Sequence, residues 1–276
     1  MNGEPDTSSA GELLAETTRR HLQGWRIPDE IPLNPDTAII PLRPDPDMVR
    51  TASRVLHTLL VRTCPDTVIV IGSRTVGGPR PALVETGSLP TALGPVEIDR
   101  GRAARIHASL RDAIEVFPSA EFASLAPDSG FETIPVLLQV LAPGCRILPI
   151  LLPEADSDIS SAQFGGLIAE IFSKDNVVVV AALELASATP GPVGSPLPRD
   201  ELRVRDAELI RPLLALDQKE TARIAMAGGV SAPRVLIAAL AHAHARGASA
   251  GHLIEYVRSG GQTAEEPWTG RAGIIF

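Results

Sequence analysis

Two β-branched runs constrain this chain more than any other feature. The runs "VIVIG" at 68–72 and "VVVVAA" at 177–182 contain no polar residue at all. A strand of that kind has no solvent face, so something must cover both of its sides. Helical periodicity over 8–23, 48–62, 100–115, 131–141, 157–173 and 233–246 supplies the cover. Further strands are expected at 37–41, 146–152 and 271–276. Strands alternating with helices predict an α/β fold: a single domain with a largely parallel central sheet flanked by helices. The domain is read as spanning 1–276, with 1–35 forming an N-terminal helix and a Pro-rich connector. Asp47 is the expected N-cap of the helix that follows.

In such sheets the working loops lie beyond the carboxyl ends of the strands. Four segments should therefore converge: 42–47, 72–78, the residues before 131, and 184–190. Composition narrows what they can bind. The formal net charge is −8 and aromatic residues make up 3%. An acidic surface with few stacking platforms argues against nucleic acid and against anionic membranes. No apolar run reaches the roughly 20 residues of a membrane helix. The N-terminus shows neither a basic leader nor an apolar signal core. Cys64 and Cys145 form no CxxC pair and read as reduced thiols, which implies a cytoplasmic location. The abundance of Ala and Pro, with Arg favoured over Lys, suggests a bacterial source.

Several segments, in order along nearly the whole chain, carry a family resemblance. "DSGFETIPVLLQVLAPGCRILPILLP" at 128–153 is the best anchor; "TAIIPLRPD", "VIVIGSRTVG", "GSLPTALGPVEIDRGRAARI", "GGVSAPRVLIAALAHAHARGA" and "GRAGIIF" accompany it. Together they resemble the Memo family, of the same superfamily as the LigB-type class III extradiol dioxygenases. The resemblance implies the fold just described, with Glu132, Leu138 and Gln139 in register. It also implies a metal site, built in the extradiol relatives from two histidines and a carboxylate. Here the departures begin. The family's ligand positions fall on Leu42, on Thr75 and Val76 (or Arg74 and Thr75), and on Ser129. The remaining family positions fall on Leu183 or Glu184, on Ala186 and on Gly229. A redox metal needs imidazole or anionic donors converging on one point, so no metal site and no cofactor are expected. None of the six histidines lies in the four loops. His242 and His244 are two apart on a helix, face different ways, and are expected to be solvated or to cap.

The polar residues left in the loops suggest a remodelled pocket. Arg43, Ser73, Arg74, Thr75 and Ser129 are candidates for holding a substrate or anion, the arginines through their planar bidentate donors. Asp128, Glu132 and Glu184 are the candidate acid/base groups. A purely structural alternative pairs Arg43 with Asp45 or Asp47, and Arg74 with Asp128 or Glu132. "GSRTVGG" lacks the GxxxxGK[ST] of a P-loop, and no Ser-His-Asp triad can be assembled in the loops. Three functions remain. The first is a metal-less, pseudoenzyme-like Memo relative that binds a small molecule or serves as a partner subunit, with a bacterial biosynthetic pathway as one setting for it. The second is a metal-independent enzyme using the same pocket, and the third is an extradiol-type dioxygenase with non-standard ligands. The ligand and any protein partner are unknown at this level, and a homo-oligomer is compatible with the sequence.

Overall fold

The two β-branched runs lie side by side in the middle of one eight-stranded sheet. In the computed structural model, which describes residues 7–42, 45–126, 132–185, 199–259 and 269–276, the elements run as follows. The first half holds α1 (Thr7–Leu22), β1 (Thr37–Ile40), α2 (Pro46–Thr63), β2 (Thr67–Arg74), β3 (Ala82–Val84), β4 (Ser88–Leu89), β5 (Val96–Glu97), α3 (Arg100–Leu110), β6 (Glu115–Phe117), α4 (Ser119–Phe122) and α5 (Thr133–Leu141). The second half holds β7 (Arg146–Pro153), α6 (Ser161–Ile171), β8 (Val177–Ala182), α7 (Arg199–Leu214), α8 (Gln218–Ile224), α9 (Pro233–Ala245), β9 (His252–Ser259) and β10 (Thr269–Ile275).

The large sheet has the order β6-β3-β7-β2-β8-β1-β10-β9. Its centre, β7-β2-β8-β1, is parallel, with Val68 level with Val178 and Ile147. Antiparallel pairing enters on both sides, at β3–β7 and through β1–β10–β9. The sheet is therefore mixed, and the expected parallel character belongs to its core. Strands β9 and β10 are consecutive in the chain and pair antiparallel, whereas the reversals of β10 against β1 and of β3 against β7 join strands distant in sequence.

Alternation along the strands divides the core in two. Ile69, Ile71, Val177, Val179 and Ala181 meet α3, α6, α7 and α9. Val68, Val70, Val178, Val180 and Ala182 meet α2, α4 and α5. On the first side α6 and α9 approach very closely, because Gly165 has no Cβ and packs on the backbone of Ala238.

Several boundaries differ from the sequence reading. The cap of α2 is Asp45, whose Oδ1 accepts from Met48 N at 2.9 Å. Asp47 lies in the first turn instead, since Pro46 starts the helix two residues earlier. The helix expected over 100–115 stops at Leu110, and Glu115 enters strand β6. The helix expected over 157–173 starts later, after a capping box on Ser160 and Gln163. Strand β9 and the short strands β3 to β6 were not foreseen.

Candidate functional site

The carboxyl ends of β1, β8 and β2 lie together, and β10 starts beside them because it runs the other way. Glu184 follows β8 by two residues and is 4% exposed. Its Oε1 accepts from Leu42 N at 2.8 Å, tying the end of β8 to the end of β1. Ser231 holds the same residue from behind: its Oγ accepts from Glu184 N at 2.9 Å, and its N donates to Glu184 O at 2.9 Å. The other carboxylate oxygen, Oε2, faces Arg271 Nε at 3.4 Å.

Arg271 is the centre of this arrangement. It sits on β10 among Gly, Ala and Ile, 4% exposed. One terminal nitrogen, Nη2, is in contact with Asp45 Oδ2. The other, Nη1, is buried and has no hydrogen-bond partner among the described residues. Asp45 thus does two things, capping α2 with one oxygen and meeting the guanidinium with the other. A buried guanidinium needs such partners, because removing it from water uncompensated costs several kcal/mol, on the order of the ion's desolvation penalty.

The candidates from sequence are distributed unevenly. Glu184 belongs to the cluster. Arg74 is 5% exposed and is turned into its own loop. Its Nε donates to Val76 O at 2.9 Å, and its Nη1 donates to Arg80 O at 2.8 Å and to Glu115 Oε2 at 2.7 Å. Its guanidinium also lies over the Phe117 ring, 5.0 Å from the centroid. The structural alternative paired Arg74 with Asp128 or Glu132; its acidic partner among the described residues is Glu115, brought alongside because β6 is a strand and not the end of a helix. Ser73 points to the opposite side of the sheet, where its Oγ donates to Glu154 Oε1 at 3.2 Å. Thr75 is exposed, and its N donates to Leu125 O at 3.1 Å. Glu132 is exposed at the start of α5, makes no cap hydrogen bond, and borders a separate groove with Leu14 and Thr91. Arg43, Asp128 and Ser129 lie outside the described residues, as do Ala186 and the loop over 189–198.

His242 and His244 do not belong to this cluster. His242 is 1% exposed, and its Nδ1 lies 2.8 Å from Thr37 Oγ1 at the amino end of β1. It is neither solvated nor a cap, which corrects the sequence expectation; burial, and then Arg246, drive its pKa down to about 3. His244, two residues on, is exposed.

A metal of the kind the family resemblance implies does not fit these residues. Among the described residues no three His, Cys, Asp or Glu side chains come together as a ligand set. Leu42 offers no donor, and Gly229 has no side chain. The two carboxylates that do meet, Glu184 and Asp45, already face a cation supplied by the chain itself. Arg271 was missed by sequence reasoning, which took "RAGIIF" as a strand only. The available signal was an arginine inside an otherwise small and apolar strand, which requires a buried acid elsewhere.

Comparison with known proteins places the chain. The family model described as "Memo: Memo-like protein" matches residues 28–268. A protein of Archaeoglobus fulgidus described as a MEMO1 family protein is 27% identical over 239 residues, covering 82% of this chain and 81% of the relative. One of Caldivirga maquilingensis with the same description is 30% identical over 158 residues, covering 56% of this chain and 51% of the relative. This second match therefore spans about half the length of that relative. Among solved structures, an uncharacterised protein of Escherichia coli K12 superposes with a TM-score of 0.57 at 14% identity, covering 87% of this chain and 99% of that one. At that identity the likeness concerns the fold alone.

Proposed function

The chain belongs to the Memo-like protein family, and from that premise we propose that it works without a redox metal, as a small-molecule-binding protein or the non-catalytic subunit of a partner. The observation that carries this reading is the Arg271 guanidinium set between Asp45 and Glu184 at the carboxyl ends of the strands. A fixed cation there repels a second one and holds the two carboxylates at rest, so a metal ion has neither charge nor ligands to recruit it. The buried Nη1, which has no hydrogen-bond partner among the described residues, is the group best suited to meet a ligand oxygen. A metal-independent enzyme remains the second reading, with Glu184 as the acid/base group at the strand ends. It has in its favour the burial of Glu184 at the strand ends, where α/β proteins carry out chemistry.

Elemental analysis of the purified protein tests the main reading. Less than one-tenth equivalent of iron, zinc or copper per chain is expected, and one metal per chain would sink it. Arg271→Ala sharpens the test. Removing the guanidinium leaves Asp45 and Glu184 without the cation they share, so Mn²⁺ or Zn²⁺ should raise the melting temperature of the variant and leave the natural protein unmoved. Equal responses in both would count against the guanidinium's role. Turnover of a ligand by the natural protein would favour the second reading.

A further inference from the structure

We infer that the outer edge of β9 and the groove beside it form a docking surface for an extended, acidic segment of a partner protein. Strand β9 is the last in the sheet, and among the described residues it pairs only with β10. It has eight residues, no proline and no lysine. Natural proteins usually shorten, charge or cover such an edge, because its unpaired N–H and C=O groups template another strand. The one acid on β9, Glu255, does not guard it: the carboxylate is turned back to Arg50, Arg54 and Thr51 of α2.

Beside this edge, between β9 and α7, runs a groove of about 630 Å³. Ile210, Leu214, Leu253 and Tyr256 line its apolar part, and Leu253 is 41% exposed although it lies in a strand. Arg203 and Arg211 stand at the rim. Both are exposed, and neither makes a hydrogen bond or an ion pair among the described residues. Arg211 also feels the charge of Glu220, but two cations with no hydrogen-bonded acid among the described residues, above an apolar floor, select an occupant that is apolar in the middle and acidic at both ends. They disfavour a second copy of this chain, because edge-to-edge pairing would bring one basic rim towards the other.

The spacing gives the occupant a pattern. Arg203 and Arg211 are eight residues apart on a helix, about 12 Å along its axis at ~1.5 Å per residue. Four residues of an added strand span about 13 Å, and residues i, i+2 and i+4 share one face. The matching segment therefore carries Asp or Glu at i and i+4 and an apolar residue at i+2. Its main chain would extend the sheet, while these three side chains face the groove.

The probe is the acetylated heptapeptide TETVTET, with TKTVTKT as its control, titrated into the full chain while backbone amide shifts are followed by NMR. Saturable shifts confined to β9 and α7 are expected with the acidic peptide, at least about tenfold weaker with the basic one, given two exposed ion pairs. In the double variant Arg203→Glu, Arg211→Glu the preference should invert. Both positions are exposed, so the variant should fold, and its circular dichroism checks this. Three results would overturn the inference: no saturable shift on β9, a preference that survives the charge reversal, or a concentration-dependent dimer of the chain that Leu253→Lys abolishes.

Discussion

Asp206 is a carboxyl placed where a carboxylate is poorly accommodated. It lies on α7 at 1% exposure against Gly270 of β10, and its Oδ1 has no hydrogen-bond partner among the described residues. Tyr256 Oη donates to its Oδ2 at 2.5 Å. Burial pushes its pKa up from 3.8 to about 6, against the opposing pull of Tyr256, Arg258 and Arg205. The folded state thus holds a proton that the unfolded state has already released. Stability from this group is highest below pH 4, falls as pH rises through 6, and stays low above it. Asp206→Asn removes the penalty, so at pH 8 the variant should be the more stable by about 3 kcal/mol, the equivalent of roughly two pKa units. At pH 4 the two should be alike. His242, whose pKa is lowered, acts in the opposite sense below pH 6.5, but it is common to both proteins and cancels in the difference. Urea unfolding at the two pH values decides it: a difference that does not change with pH removes Asp206 as the cause. Neither Asp206 nor Arg271 was legible from sequence. A buried charge is recognised by what surrounds it, and the partners of Arg271 lie 87 and 226 positions away in the chain.

At the scale of elements, the sequence was most informative where one periodicity dominates. The helices α1, α2 and α9 and the strands β2, β7 and β8 were found within a few residues, because each is long and strongly patterned. The short strands β3 to β6 hold two or three residues each and show no period at all. Strand β9 mixes His, Glu, Tyr and Arg with apolar residues, so it imitates a loop. The error at α2 is instructive, since two acids flank Pro46 and either could cap by type. Proline favours the first helical position and therefore selects Asp45. That choice joins the helix to the candidate site. Asp45→Ala should cost about 2 kcal/mol, combining a lost cap with a lost partner for a buried guanidinium. Asp45→Asn keeps the cap acceptor and should cost about half as much. Chemical denaturation of both variants tests this, and an Ala variant as stable as the natural protein would refute the dual role of Asp45.

At the scale of the whole molecule, the same strands serve both cores. Ile69 and Val68 are neighbours in β2, yet one packs under α6 and α9 and the other under α2 and α5. Neither layer of helices can leave without exposing one face of β2, β7 and β8, whose apolar side chains lose about 25 cal/mol per Å² of renewed water contact. The single domain read from the alternation of strands and helices should therefore unfold as one unit. Native-state hydrogen exchange can measure this directly. Amides of β1, β2, β7 and β8 should share one opening free energy, the global one, with α2 and α9 close to it. The edges β6 and β9 should open at lower cost, since each has a partner on one side only. If α2 and α5 instead exchanged as a group well below α6 and α9, the two cores would be separable and the chain would hold two folding units on one sheet. The sharing of every central strand argues for the first outcome.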